Sequence, residues 1–201
     1  MRRTLIWQGE DDPDRLDTAT VDIVGTTLHA HGTQRTESYA LAWSLEGDDR
    51  WVTRRMRVTS YGRTWRRTLD LTHDGAGRWA SETTGDGGLD ELGPATDIAG
   101  DREYADALDC DLGLCPLTNL MPIRRLGLLE GDVAEQVLTM AWIDVPSLQV
   151  IPSVQRYASA GAGRVRYESE RRDFRSELTV DDDGIVIDYP QLARRVSLAS
   201  R

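Results

Sequence analysis

The chain has 201 residues, with 24 basic and 34 acidic side chains and a formal net charge of −10. That length suits one domain with a sizeable core and is short for two, so residues 1–201 are expected to form a single domain. The acidic balance argues against nucleic acid as a partner, because duplex binding needs a basic field, and against peripheral contact with an anionic lipid surface.

All the cationic side chains are arginines. An arginine-biased coding sequence is the simpler account of this, ahead of selection for bidentate anion recognition. The opening Met1-Arg2-Arg3-Thr4-Leu5-Ile6-Trp7 lacks the apolar run of about 7–15 residues of a signal peptide. No stretch approaches the roughly 20 apolar residues of a membrane span. A cytoplasmic protein without stable membrane insertion is expected, with Cys110 and Cys115 as reduced, buried thiols.

Along the chain the pattern is β almost throughout. Thr20 to Ala30 is rich in Val, Ile and Thr and is expected to end near Gly32. Tyr39 to Leu45 is a short strand closed by Gly47-Asp48-Asp49. From Trp51 to Ser60, Val52, Met56 and Val58 share one parity, while Thr53, Arg55 and Arg57 share the other. Thr64 to Thr72 returns with Trp65, Leu69 and Leu71 on one face, and Arg78 to Thr83 starts the next strand. His73 precedes the Asp74-Gly75 turn and is expected to be a turn residue. Gly85 to Gly100, with Gly85-Asp86-Gly87-Gly88 and few apolar residues, predicts an exposed loop. Met121 to Leu126, with Pro122 in its first turn, and Gln191 to Val196, after Pro190, predict short helices. Strands are expected over Val133–Val145, Leu148–Tyr157, Val165–Ser169, Phe174–Val180 and Ile185–Tyr189, the last two flanking the hairpin turn Asp181-Asp182-Asp183-Gly184. Such a sheet must roll up or be covered to bury one face and protect its edges. The fold class is therefore mainly β: an antiparallel spiral roll or incomplete barrel with one or two short helices.

The segment from Asp109 to Leu126 mixes the most specialised residues. Asp109 and Asp111 alternate on one strand face, Pro116 and Pro122 fix the backbone, and Thr118, Asn119, Arg124 and Arg125 sit inside an apolar frame of Leu117, Leu120, Met121, Ile123 and Leu126. A solvated loop would not need the apolar set, and a plain core element would not need the polar one. The segment is expected to be a packed connector that holds polar groups in place.

This segment resembles the signature of the glycolipid-binding family of small bacterial proteins, which reads roughly Asp-aliphatic-Asp, a short spacer, then Thr-Pro-Phe-Thr-Asn-Thr-Leu-Pro-Ile-Arg-Arg-Leu. Asp109, Asp111, Pro116, Thr118, Asn119, Pro122, Ile123, Arg124, Arg125 and Leu126 match. Cys115, Leu117, Leu120 and Met121 depart from it. The resemblance extends upstream to Trp51-Val52-Thr53-Arg54-Arg55 and Gly77-Arg78-Trp79, and downstream to Gln155-Arg156-Tyr157 and Gly184 through Pro190. It implies a spiral β-roll distantly similar to lipoprotein-carrier folds, and a non-enzymatic protein that holds an amphipathic ligand, a glycolipid, in a groove of its curved sheet.

The residues themselves offer no catalytic signature. Without Lys there is no Walker-type phosphate loop and no Schiff base, and no nucleophile elbow or zinc-protease motif is present. His29 and His31 share a parity, but exposed polar residues at a strand end account for them better than a metal does. No cofactor or metal is expected. The ligand candidates are Asn119, Arg124, Arg125, Asp109, Asp111 and Arg55. For Arg124 and Arg125 an ordinary solvated role and a cavity-lining role stand level, and one of the pair is expected to anchor the connector through Asp109 or Asp111 while the other faces a ligand. Arg55, Arg57, Arg63 and Arg67 are expected to be solvated. If their face lines a cavity instead, they suit a sugar or phosphate headgroup beside Trp51 and Trp65. The alternative function is an enzyme acting on a sugar- or phosphate-bearing substrate through Asp109, Asp111 and Arg124. The oligomeric state is not fixed by the sequence.

Overall fold

The computed structural model describes residues 1–95, 98–100 and 102–197. Seven strands run in a continuous meander: β1 (Arg2–Gly9), β2 (Leu16–Val24), β3 (Thr27–Arg35), β4 (Ala40–Gly47), β5 (Thr53–Tyr61), β6 (Trp65–His73) and β7 (Trp79–Gly87). A connector follows, made of β8 (Asp109–Leu112), a 3-10 turn over Pro116–Asn119 and the helix α1 (Leu120–Arg125). The chain then forms β9 (Gln136–Ile143), β10 (Val150–Ser159), β11 (Arg164–Ser169), β12 (Phe174–Val180), β13 (Val186–Tyr189) and β14 (Ala193–Arg195).

The described strands form one sheet in the order β7-β6-β5-β4-β3-β2-β1-β14-β13-β12-β11-β10-β9-β8. Its middle is sealed where the first strand pairs with the last, Trp7 opposite Arg195 and Gly9 opposite Ala193. The two ends of the sheet, β7 and β8, are neighbours in the chain but do not pair. Instead β8 packs at the start of β5, where the Thr53 N–H donates to Leu108 O (3.0 Å) and the Cys110 N–H donates to Thr53 Oγ1 (3.0 Å). The sheet therefore winds past itself without closing, and the spiral roll expected from the sequence is the observed fold.

Alternation sets which side of each strand faces inward. Leu41, Trp43 and Leu45 of β4 and Trp65, Leu69 and Leu71 of β6 are buried, as are Met56 and Val58 of β5. The connector fills the roll, with Leu117, Leu120, Met121 and Ile123 all buried. Trp7 and Trp79 are fully buried because each indole N–H finds a carbonyl, Val186 O at 2.8 Å and Ala107 O at 2.9 Å.

Several elements differ from expectation. Thr20 to Ala30 is two strands, β2 and β3, which turn at Gly25 and pair Val24 with Thr27. Gly32 lies inside β3, so His29 and His31 are mid-strand residues on the exposed face. Gln191 to Val196 makes the short strand β14, because pairing with both β1 and β13 outweighs the helix cue of Pro190. Gly85 to Gly87 continue β7 against Trp65 to Arg67 of β6, and Leu92 and Ile98 are buried; Thr96 and Asp97 of that expected loop lie outside the described residues. One pairing is parallel, β8 with β9. His73 is buried at the end of β6, stacked on Trp79 at 4.6 Å. Its Nε2 accepts from the Gly77 N–H (3.2 Å), which leaves Nδ1 to donate to Thr53 O (3.1 Å). Arg67, expected in solvent, is 4 % exposed. Its guanidinium donates to Ser147 O (2.9 Å), Gly93 O (2.8 Å) and Leu92 O (3.4 Å), stapling two loops to β6.

Gly32 is where the roll tolerates no side chain. A Cβ there would lie 1.9 Å from Thr18 O and 2.6 Å from the Trp43 ring. Gly32→Ala is expected to cost about 1–3 kcal/mol or more by overpacking, read as a shifted urea midpoint. A midpoint equal to the parent's would contradict the close β2–β3–β4 packing.

Candidate functional site

The connector carries its polar groups in two separate clusters. At the α1 end, Arg125 Nη1 donates to Asp109 Oδ1 (2.5 Å) and to Trp51 O (3.3 Å). Arg124 places its guanidinium 5.1 Å from the centre of the Trp51 ring. Trp51 itself has φ 62, a left-handed conformation that is costly for a bulky residue and is held only where surroundings enforce it. The enforcing group is Asp48, whose Oδ1 accepts the N–H groups of Arg50 (2.9 Å) and Val52 (3.0 Å). Asp109 is fully buried, and its Oδ2 is without a hydrogen-bond partner among the described residues. Burial pushes its carboxyl up while Arg125 pulls it down.

The second cluster lies beneath the C-terminal half of the sheet. Asp111 accepts from Thr118 Oγ1 (2.7 Å) and from Gln155 Nε2 (2.6 Å). The Tyr157 hydroxyl bridges Gln155 Oε1 (3.0 Å) and Asn119 Oδ1 (2.9 Å), and Asn119 Nδ2 donates to Pro116 O (3.3 Å). The chain Thr118–Asp111–Gln155–Tyr157–Asn119 thus joins the connector to β10. Burial raises Asp111, against the donors from Thr118 and Gln155. This cluster forms the floor of a cleft lined by Asn119, Leu112, Leu114, Trp142, Tyr167, Arg172, Tyr189 and Leu192, with a volume of about 10 Å³, the room of roughly one water molecule. Leu114 turns the chain there with φ 63.

A third polar group flanks the connector. Gln34 Nε2 donates to Asp17 Oδ1 (2.8 Å) and to Gly113 O (3.4 Å), and Gln34 Oε1 accepts from the Tyr39 hydroxyl (2.6 Å). Arg15 donates to Asp17 Oδ2 (3.2 Å), to Asp11 Oδ1 (2.8 Å) and to Leu192 O.

Of the sequence candidates, the structure brings Asp111 and Asn119 to the cleft. Asp109 and Arg125 are bound to each other, Arg124 lies on Trp51, and Arg55 is held outside by Asp70, Nε to Oδ1 at 2.8 Å and Nη2 to Oδ2 at 2.5 Å. Gln155 and Tyr157 of β10, Tyr189 of β13 and Arg172 of the β11–β12 turn join the cluster or the cleft from far along the chain. Their signal was the inward parity of Gln155 and Tyr157 and the Arg171-Arg172 pair in a turn. Burial pushes the Cys110 thiol up to about 12 and raises Cys115 as well, so both are neutral at physiological pH and neither is an activated nucleophile. Among the described residues no three His, Cys, Asp or Glu side chains are grouped to hold a metal, and no helix is long and apolar enough to cross a membrane.

A family model described as "Putative glycolipid-binding" matches residues 4–195. The chain belongs to this family. A crystal structure of a DUF1089 family protein from Pseudomonas aeruginosa superposes with a TM-score of 0.70 at 27 % identity, over 90 % of this chain and 92 % of that one. No curated protein matches. The family's name describes binding and not catalysis.

Two outcomes follow from these clusters. Arg125→Ala leaves Asp109 buried without its partner and is expected to cost about 3–5 kcal/mol in chemical denaturation; an unchanged midpoint would contradict the pairing. Burial raises Asp17 from 3.8 to about 6 against Gln34 and Arg15. A raised folded-state pKa gives stability that is complete below about pH 4 and lost as pH rises through about 6. Asp17→Asn is therefore expected to flatten part of the stability loss between about pH 4 and 6, followed by urea melts across that range; an unaltered slope would refute the assignment.

Proposed function

We propose that the protein is a non-enzymatic binding protein for an amphipathic ligand, a glycolipid, held in the groove between the C-terminal half of the sheet and the connector. The observation that carries this reading is the mixed lining of the cleft, in which polar Asp111, Asn119 and Arg172 meet apolar Leu112, Leu114 and Leu192 and the aromatic Trp142, Tyr167 and Tyr189. Aromatic faces suit the C–H faces of a sugar, and buried acceptors and amides suit its hydroxyls. Asp111 and Asn119 meet the head and the leucines meet the start of the tail.

The cleft of about 10 Å³ is too small for a sugar ring, so binding requires its rim to move outward. The Glu170–Asp173 turn is an exposed part of that rim, Arg171 and Arg172 both being exposed there. On this reading Asp109, Arg125 and the strained Trp51 hold the connector in place and do not touch the ligand.

Native mass spectrometry of protein purified from its own host, beside a denatured control, tests the proposal. A discrete extra mass that is released on denaturation and fragments as an acyl-sugar is expected. Leu114→Asn keeps a residue that tolerates the left-handed backbone without adding charge and is expected to bind the same lipid roughly tenfold or more weakly, through lost apolar contact. Protein that stays apo, and binds nothing from a lipid extract of the host, would overturn the proposal.

A further inference from the structure

The turn between β11 and β12 presents two adjacent arginines at the mouth of the cleft. Arg171 lies 5.4 Å from the centre of the Trp142 ring and Arg172 lies 5.2 Å from that of Phe174. Trp142 and Arg172 both line the cleft. Arg172 is close enough to act electrostatically on Asp111, Tyr167 and Tyr189.

The surrounding arginines set the contrast. On the outer face of the same strands Arg156 pairs with Glu135 (3.4 Å) and Glu170 (2.5 Å), Arg164 with Glu177 (2.8 Å) and Arg175 with Glu168 (2.9 Å). Of the four arginines on β10 to β12 these three are neutralised by a neighbour, while Arg166 of β11 has no ion pair among the described residues and no aromatic ring beneath it. Among the described residues no carboxylate is in ion-pair contact with Arg171 or Arg172, although the chain as a whole carries a net charge of −10. Glu170, the acid next to them in sequence, is spent on Arg156. Asp111 is already occupied by two donors, Thr118 and Gln155.

A guanidinium that rests on an aromatic ring uses its face for the ring and keeps its N–H edge free, already aimed. Two such groups on adjacent residues of one turn offer donors to the oxygens of a phosphate, sulfate or carboxylate, which accept bidentate pairs. The acidic surface opposes an anion at long range, but that field is screened beyond about 10 Å in 0.1 M salt, whereas the two guanidinium groups act at contact.

We infer that Arg171 and Arg172 form an oxyanion-binding rim, so that the head of the ligand carries a phosphate, sulfate or carboxylate group. This rests on the binding function proposed above and narrows it to anionic amphiphiles taken one molecule at a time. It is distinct from attraction to a charged membrane surface, which the overall acidity disfavours.

Calorimetric titration separates the sources of the anion. The probes are a short-chain phosphatidylglycerol and a chain-matched neutral monoglucosyl diacylglycerol, which has no phosphate, sulfate or carboxylate, both below their micelle concentrations, and glycerol phosphate without a tail. The proteins are the parent, Arg171→Gln/Arg172→Gln, and Arg63→Gln/Arg78→Gln, which removes the same charge elsewhere. The parent is expected to bind phosphatidylglycerol about tenfold or more tightly than the neutral glycolipid, one or two charge-assisted hydrogen bonds being worth at least that much. The rim variant is expected to lose this preference, and the control variant to keep it. Equal affinity of the parent for the two lipids, or a preference that survives in the rim variant, would overturn the rim while leaving lipid binding intact. Binding of glycerol phosphate that depends on the rim, with no binding of either lipid, would keep the rim and overturn the glycolipid function. Binding of none of the three probes would overturn the rim.

Discussion

The structure depends on one constraint: a long curved sheet that does not close must have its inner face filled by something other than itself. In this chain the filling is the connector, whose leucines, Met121 and Ile123 are buried in the roll. The connector cannot be wholly apolar, because an irregular backbone inside a core needs partners for its polar groups. Thr53 meets this need at one edge, where its N–H and hydroxyl bind the backbone of Leu108 and Cys110. Asp111 with Gln155, and Gln34 with Gly113, meet it elsewhere. The polar residues that make the connector conspicuous are thus first of all the means by which it stays folded inside the sheet.

A site arises where this satisfaction reaches the open side of the roll. Asp109 and Arg125 exhaust each other's charge, and with Trp51 they pin one end of the connector. Asp111 and Asn119 are bonded from below yet still line a cleft, with aromatic side chains around them and leucines beyond. The arrangement has the character of a recognition surface: fixed polar groups, stiff aromatic walls and thiols that burial keeps protonated.

Much of the fold was legible from local signals. The Asp181–Gly184 turn pairs β12 with β13, the alternation in β4 to β6 marks the inward faces, and Pro122 sits in the first turn of α1, as its chemistry requires. What escaped were features decided by partners distant in sequence. Gln191 to Val196 becomes a strand because β1 offers it hydrogen bonds from the other end of the chain. Arg67 is buried because Ser147, 80 residues away, supplies a carbonyl. The parity of Asp109 and Asp111 was visible, but their separate fates were not, because Arg125 reaches one and Gln155 the other. Arg171 and Arg172 take their setting from tertiary neighbours in the same way, Arg171 lying on Trp142 of β9.

The central claim is that the groove beside the connector is occupied in the working protein. Hydrogen–deuterium exchange on protein as isolated from its host and after delipidation tests it most directly. Delipidation should speed exchange in residues 113–119 and 170–173 while β3 to β5 stay unchanged. Identical exchange along the whole chain before and after would contradict the claim and leave the connector with a folding role alone.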